Sequence, residues 1–159
     1  MVDDAPPAPL VLLLSGPNLS LLGERQPLIY GTATLADVAE RAARAAAAAG
    51  ARLEHLHSDH EGDLVTAVHG ARGRADALVV NAAALSHYAW SLSDALATFE
   101  GVVVEVHLSN PDAREPWRRR SVVTPVADGC VSGFGGLGYE VAVGAALRLV
   151  EERRASATA

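Results

Sequence analysis

Lysine is absent from this chain, because all thirteen of its basic residues are arginines. Without a lysine the chain cannot form a Schiff base with a carbonyl substrate, hold pyridoxal phosphate, or complete the phosphate-binding loop G-x-x-x-x-G-K. The composition thereby excludes three large classes of enzyme.

Cysteine occurs only once, at Cys130, so no internal disulfide can form. We interpret Cys130 as a small buried residue rather than a nucleophile. No Cys/His spacing matches a structural zinc site. One dense group of residues could in principle bind a metal: His55, His57, His60 and Glu61. Their spacing does not specify any metal, and we expect no metal ion to bind there.

Aromatic residues make up only 4% of a chain that is 50% apolar, which predicts an aliphatic, alanine-rich core. The formal net charge of −6 argues against nucleic-acid binding, because no basic stripe is present to neutralise phosphates. No apolar run is long enough to span a bilayer, and the first residues are acidic where a secretory signal is basic. We therefore expect a cytoplasmic protein that binds neither nucleic acid nor membranes.

Apolar runs alternate with helical patterns along the 159 residues. The patterns predict strands at 10–14, 52–57, 76–81, 101–106 and 130–132, and helices at 36–49, 61–72, 86–99, 112–120 and 137–154. This alternation over short loops predicts a parallel sheet covered on both faces. We expect a single catalytic domain over 9–154, a flexible leader over 1–8 and a flexible tail over 155–159.

The loop after the first strand, SGPNLSLLGERQPLIYG over 15–31, carries several reactive side chains. It follows the carboxyl end of a strand, where α/β sheets bind their ligands. Tyr30 could act as a base near neutral pH only if a positive charge stabilises its phenolate, and Arg25 is a natural partner. The alternative is a surface arginine beside a packing tyrosine.

His107 directly follows the fourth predicted strand, and Glu105 lies on the same face two residues earlier. A carboxylate can orient and charge an imidazole, which would make His107 a general acid. The alternative is a structural histidine.

Other polar residues lie near the predicted strand ends. Asn81 ends the third strand, and the seven-residue spacing of His87 and Asp94 places them two turns apart on one helical face. They could serve different groups of a ligand, or different subunits. The i, i+4 spacing of Arg114 and Arg118 could hold a hydroxyl-rich or anionic substrate, or form a solvated basic turn.

The glycines at 133, 135 and 138 satisfy the dinucleotide motif G-x-G-x-x-G literally. The match precedes the last predicted helix rather than following the first strand, and no acidic residue follows at the expected distance. We therefore do not expect a dinucleotide cofactor.

The chain resembles the type II 3-dehydroquinate dehydratases from about residue 10 to residue 148. The resemblance lies in five segments in the family's order: SGPNLSLLGERQPLIYGTATLADV, SDHEGDLV, NAAALSHYAWSLSDAL, EVHLSNPDAREPWRRRSVV and ADGCVSGFGGLGYEVAV. It implies a flavodoxin-like three-layer sandwich with a five-stranded parallel sheet, assembled as trimers into a homododecamer.

The resemblance also implies a lyase that works without a cofactor. It would dehydrate 3-dehydroquinate to 3-dehydroshikimate reversibly through an enolate, in the shikimate or quinate pathway. The missing lysine agrees, because the unrelated type I enzyme needs a Schiff-base lysine.

Five catalytic residues are implied by the resemblance. Tyr30 would remove the C2 proton, and Arg25, on a mobile lid, would favour its phenolate form. Asn18 would stabilise the enolate through an ordered water. His107, oriented by Glu105, would protonate the departing C1 hydroxyl.

The resemblance further assigns residues to substrate binding. Ring hydroxyls would bind Asn81, His87 and Arg118, and the carboxylate would bind Leu108 and Ser109. Asp94 would reach the site of a neighbouring subunit, and Arg114 would support the fold or the subunit contact. Several positions depart from the family's usual residues: Gln26, Asp59, Ala82 and the bulky segment 88–90.

The bulky residues at 88–90 would lie beside the pocket or the trimer contact, and they raise an alternative. The chain could be a catalytically weak paralogue that binds a cyclic polyol acid. A flavin- or nucleotide-binding flavodoxin-like module is a third hypothesis. The sequence does not separate aromatic biosynthesis from quinate breakdown, because both use the same step.

Overall fold

The computed structural model describes residues 7–158. Most of the predicted leader and the last residue of the predicted tail lie outside these residues. The strands are β1 Leu10–Ser15, β2 Arg52–His57, β3 Ala77–Asn81, β4 Val102–His107 and β5 Gly129–Ser132. The helices are α1 Pro27–Tyr30, α2 Leu35–Ala48, α3 Glu61–Ala71, α4 Trp90–Ala97 and α5 Leu137–Ala157.

All five strands run parallel, in the order β2-β1-β3-β4-β5. This is the doubly wound order of flavodoxin-like proteins, so the predicted fold class is confirmed. Ser15, the last residue of β1, is in register with His57 of β2 and with Asn81 of β3. The loops that follow these strands therefore leave the sheet at one edge, which we call the carboxyl edge.

Helices cover both faces of the sheet. Val11 and Leu13 of β1 pack in the core shared with α2 and α5, whereas Leu12 and Leu14 pack in the core shared with α3 and α4. Successive side chains of a strand point to opposite faces, so a run of leucine and valine fills both layers. The predicted aliphatic three-layer sandwich is confirmed.

Helix α2 begins as its sequence predicts. The Thr34 hydroxyl accepts a hydrogen bond from the Asp37 backbone N–H at 3.1 Å, and the Asp37 carboxylate accepts one from the Thr34 N–H at 2.8 Å. This reciprocal capping satisfies two amides that the first turn of a helix leaves free.

The predicted helix over 86–99 is shorter than expected. A 3₁₀ helix covers Ala83–His87, and α4 begins only at Trp90. Ala89 separates the two elements, with φ −81° and ψ 79°. His87 and Asp94 therefore do not share one helical face, and the prediction that they do is wrong.

The predicted helix over 112–120 is also wrong. Two 3₁₀ helices, Pro111–Ala113 and Pro116–Arg119, replace it. Glu115 between them is extended, with ψ 141°, because a residue that precedes proline avoids the α region. Arg114 and Arg118 consequently belong to different turns.

Helix α5 continues to Ala157, past its predicted end at residue 154 and into the predicted tail. Among the helices of residues 7–158, none combines the length and apolar character needed to cross a membrane.

We predict that Gly16→Ala lowers the free energy of unfolding by about 2 kcal/mol, because overpacking a dense interior costs about 1–3 kcal/mol. A Cβ at Gly16 would lie 2.6 Å from the carbonyl oxygen of Ala82 and 2.7 Å from its carbonyl carbon. Urea denaturation measures the change.

The matched control is Gly144→Ala in the exposed middle of α5, where a new Cβ meets nothing within 4 Å. It should stabilise the protein by about 0.5–1 kcal/mol through helix propensity. Equal stability of wild type and Gly16→Ala would contradict the packing argument.

Candidate active site

A cavity of about 110 Å³ opens at the carboxyl edge of the sheet. The segments that follow β1, β3 and β4 line it. Nine of the eleven residues predicted for the site are among its lining residues: Asn18, Arg25, Tyr30, Asn81, His87, His107, Leu108, Ser109 and Arg118. The other two, Glu105 and Asp94, are not.

An arginine contacts the hydroxyl of Tyr30, but it is Arg114 rather than Arg25. Nη1 of Arg114 donates a hydrogen bond to Tyr30 Oη at 2.5 Å, and its guanidinium carbon lies 5.3 Å from the centre of the tyrosine ring. The guanidinium places a positive charge where a phenolate would form. Arg25 lines the same cavity on an exposed segment.

Arg114 belongs to the cavity, whereas the family resemblance implies a role in supporting the fold or the subunit contact. Its side chain is only 12% exposed, and it also lines the cavity. The i, i+4 spacing with Arg118 was the one available signal, although the two arginines reach the cavity from separate turns.

His107 rests on a buried carboxylate. Its Nε2 lies 2.8 Å from Oε1 of Glu105, whose side chain is fully buried in β4. A carboxylate oxygen only accepts, so Nε2 carries the proton and Nδ1 remains for another partner. Ser121 Oγ donates to Glu105 Oε1 at 2.7 Å, and the Thr124 hydroxyl donates to Oε2.

These donors decide the charge of Glu105. Burial alone would raise its pKa, but hydrogen bonds from His107, Thr124 and Ser121 and the charge of His107 together hold the pKa below its ordinary value of 4.5. Glu105 is therefore a buried carboxylate that stays ionised and faces the histidine.

Asn81 is held by a partner that the sequence reasoning missed. Its Nδ2 donates to the hydroxyl of Tyr139 at 2.6 Å, and its Oδ1 accepts from the N–H of Ala83 at 3.1 Å. Tyr139 is completely buried in α5, and burial raises its pKa well above the usual range. This neutral phenol fixes the Asn81 amide at the cavity wall.

His87 and Arg118 are joined by an aromatic ring. His87 Nδ1 donates to the carbonyl of Arg120 at 2.8 Å, which leaves Nε2 for a ligand. Trp117 meets the His87 ring edge-on at 5.2 Å between centroids, and the Arg118 guanidinium stacks 4.0 Å from the Trp117 centroid. Glu115 also accepts from Arg118 Nε at 2.8 Å.

The two residues predicted to hold the substrate's carboxylate follow β4 and line the cavity. Leu108 is buried, and its carbonyl accepts from the N–H of Gly135 at 2.9 Å. Ser109 Oγ lies 3.5 Å from Arg114 Nη1, so a hydroxyl and a guanidinium adjoin at this wall.

Asp94 lies apart from the cavity lining, exposed on α4. The bulky residues that depart from the family pattern also stay outside the lining: Tyr88 and Trp90 are 60% and 59% exposed. Ala82, by contrast, is fully buried against Gly16. The unusual aromatic bulk thus lies on the surface and not in the cavity.

Cys130 is exposed on β5, so the prediction that it is buried is wrong. Partial desolvation of its sulfur, followed by the charge and hydrogen bonding of Glu105, raises the pKa of the thiol to about 11. The thiol is therefore protonated at neutral pH, which disfavours a role as nucleophile.

His55 in β2 has a hydrogen-bonding partner in the fold. His55 Nε2 lies 2.9 Å from Ser15 Oγ, and burial, with the nearby His57, lowers the pKa of His55. Across residues 7–158 no three His, Cys, Asp or Glu side chains converge to hold a metal ion.

The chain is similar to known proteins over most of its length. The family model described as Dehydroquinase class II matches residues 9–147. A 3-dehydroquinate dehydratase of Bacillus licheniformis is 47% identical over 135 residues, which cover 85% of this chain and 93% of that protein. A catabolic 3-dehydroquinase of Emericella nidulans is 46% identical over 133 residues, covering 84% and 87%. The crystal structure of a type II dehydroquinase from Propionibacterium acnes superposes with a TM-score of 0.83 at 38% identity, covering 88% of this chain and 97% of that one.

We predict that the free energy of unfolding falls less steeply at acid pH in Glu105→Gln than in wild type. A carboxyl whose pKa is lowered by folding contributes stability that is fully present above its unfolded value, near 4.5, and is lost as pH falls through the folded pKa. Wild type should therefore lose more unfolding free energy than Glu105→Gln between about pH 6 and about pH 3.

Urea denaturation at several pH values measures both slopes. Glu54→Gln is the control, because its exposed carboxylate pairs with Arg74 far from the cavity, and its slope should match wild type. Parallel profiles for wild type and Glu105→Gln would contradict the charged state of Glu105.

Proposed function

Since this chain belongs to the class II dehydroquinase family, we propose that it converts 3-dehydroquinate to 3-dehydroshikimate through an enolate, with no cofactor. Membership makes the chain a hydro-lyase of that family. One observation carries the proposed mechanism. The same cavity holds a tyrosine hydroxyl that is hydrogen-bonded to a guanidinium and an imidazole that is paired with a buried carboxylate.

The first step is removal of a proton from C2, next to the C3 carbonyl. Tyr30, as phenolate, takes this proton, and the electron pair of the C–H bond passes into the enolate. Arg114 supports this role because its positive charge at the hydroxyl stabilises the phenolate. Arg25 on the exposed segment adds a second positive charge to the same cavity.

In the second step the enolate collapses and the C1–O bond breaks. His107 donates a proton to the departing hydroxyl, which leaves as water, and a double bond forms between C1 and C2. The ionised Glu105 supports this role because it orients the ring and stabilises the imidazolium. An enolate route needs no imine, in agreement with the absence of lysine.

The remaining residues of the cavity wall bind the substrate. Asn81, His87 and Arg118 hold the ring hydroxyls, and the backbone of Leu108 with the Ser109 hydroxyl holds the carboxylate. The locked amide of Asn81 and the free Nε2 of His87 support this assignment. Asn18 stabilises the enolate through a water molecule. Fixed donors of this kind require little reorganisation during the reaction.

We also propose that the chain forms homo-oligomers, as trimers assembled into a dodecamer. Asp94, off the cavity and exposed on α4, would then act in a neighbouring subunit's site. The exposed Tyr88 and Trp90 adjoin the same helix, and aromatic side chains are favoured at subunit contacts.

We predict that the purified protein generates a conjugated-enone ultraviolet band from 3-dehydroquinate. Tyr30→Phe should lower kcat by about 10²–10⁴-fold, the usual contribution of a general base. Arg114→Leu should lower kcat by about 100-fold, since the phenolate loses its counter-charge.

Arg119→Ala is the control, because this exposed arginine on the same segment does not line the cavity. Its kinetics should match wild type. Wild-type protein that yields no enone band at any concentration would refute the proposed function, and tight binding of quinate without turnover would favour the weak paralogue.

We predict that mixed oligomers recover activity from two inactive variants. Asp94→Ala and Tyr30→Phe subunits should be nearly inactive alone. Refolded together in equal amounts, they should show about a quarter of wild-type activity, because half of the subunits keep Tyr30 and half of their neighbours supply Asp94.

Tyr30→Phe refolded with itself is the control and should stay inactive. Full activity of Asp94→Ala alone, or no recovery in the mixture, would show that Asp94 does not act across subunits.

A further inference from the structure

Asn18 has an unusual backbone conformation. Its φ of 64° and ψ of 1° lie in the left-handed region, which L-residues rarely occupy and asparagine tolerates best. This turn directs the chain from the end of β1 into a 3₁₀ helix at Leu19–Leu21 and sets Asn18 in the cavity lining. The position of its side chain therefore depends on whatever holds the turn.

A carboxylate from the neighbouring strand end holds this turn. Oδ1 of Asp59, just after β2, accepts a hydrogen bond from the Asn18 backbone N–H at 2.8 Å. The Asp59 segment is itself fixed, because Ser58 donates its N–H to Ser15 O at 3.0 Å and its hydroxyl to Asp63 Oδ2 at 2.6 Å.

A second group approaches the same oxygen. Nε2 of His57 lies 3.5 Å from Asp59 Oδ1, and within residues 7–158 this buried nitrogen makes no hydrogen bond. The same Asp59 oxygen is thus approached by the Asn18 backbone N–H and by the His57 imidazole. The side chain of Asp59 is 57% exposed, so these contacts, and not burial, orient it.

We infer that Asp59 is a positioning residue for Asn18. Asp59 accepts a hydrogen bond from the Asn18 backbone N–H and so holds the left-handed turn. This turn directs the side-chain amide of Asn18 toward the enolate. The inference rests on the proposed function, although Asp59 is not itself among the residues that line the cavity.

The expected kinetic effect is on kcat rather than KM, because Asn18 is proposed to act on the enolate. Asp59→Ala should lower kcat by about 10- to 100-fold with little change in KM, since small misplacements of catalytic groups cost this much. Asp59→Asn keeps an Oδ1 acceptor and should stay within about threefold of wild type.

The matched control is Asp76→Ala. Oδ2 of Asp76 accepts the N–H of Leu10, the first residue of β1, at 2.8 Å, so it makes the same kind of contact at the opposite end of the strand. Asp76→Ala should lower stability and leave kcat unchanged. A double variant adds a second test: Asn18→Ala with Asp59→Ala should be no slower than Asn18→Ala alone.

Residue-resolved hydrogen exchange supplies a readout that does not need turnover. The backbone N–H of Asn18 should exchange its hydrogen slowly in wild type, Asp59→Asn and Asp76→Ala. It should exchange fast in Asp59→Ala. Unchanged exchange of this hydrogen in Asp59→Ala would overturn the inference, whether or not the protein dehydrates 3-dehydroquinate. Failure to dehydrate 3-dehydroquinate would refute the proposed function separately. In an active protein, unchanged kcat in Asp59→Ala, an equal loss in Asp76→Ala, or additive effects in the double variant would also overturn it.

Discussion

Parallel pairing of the strands is the constraint on which the other features depend. Because all five strands run in one direction, every loop that leaves a carboxyl end starts from the same edge of the sheet. The register aligns Ser15, His57 and Asn81 across three strands. Aliphatic packing on both faces makes this edge rigid, so the loops above it start from fixed points.

The proposed acid contacts a negative charge, and the proposed base contacts a positive charge. Glu105 is a buried anion under the proposed acid, and it is tolerated because two hydroxyls and an imidazole donate to it. Arg114 is a largely buried cation on the proposed base. Each of these two side chains thus faces the charge opposite to the one that it would carry in its proposed role.

Hydrogen bonds tie the cavity wall to the body of the fold. Tyr139 of α5 fixes the Asn81 amide, and Asp59 of the adjacent loop fixes the turn at Asn18. Each contact joins residues distant in sequence. The same bonds therefore contribute to the folded structure and to the placement of side chains that line the cavity.

The sequence by itself determined the fold class, the five strands and the start of α2, because alternation, apolar runs and capping are local signals. Position near a strand end was enough to collect Tyr30, Asn81 and His107 as candidates, and the family resemblance added Asn18. Only the tertiary structure brought Arg114 to Tyr30, put Tyr139 behind Asn81 and interrupted the helix expected over 86–99. The break in the helix expected over 112–120 has a local cause, because Pro116 keeps Glu115 out of the α region. Which arginine meets a given phenol depends on how separate loops pack, and such contacts between distant residues leave no periodicity in the sequence.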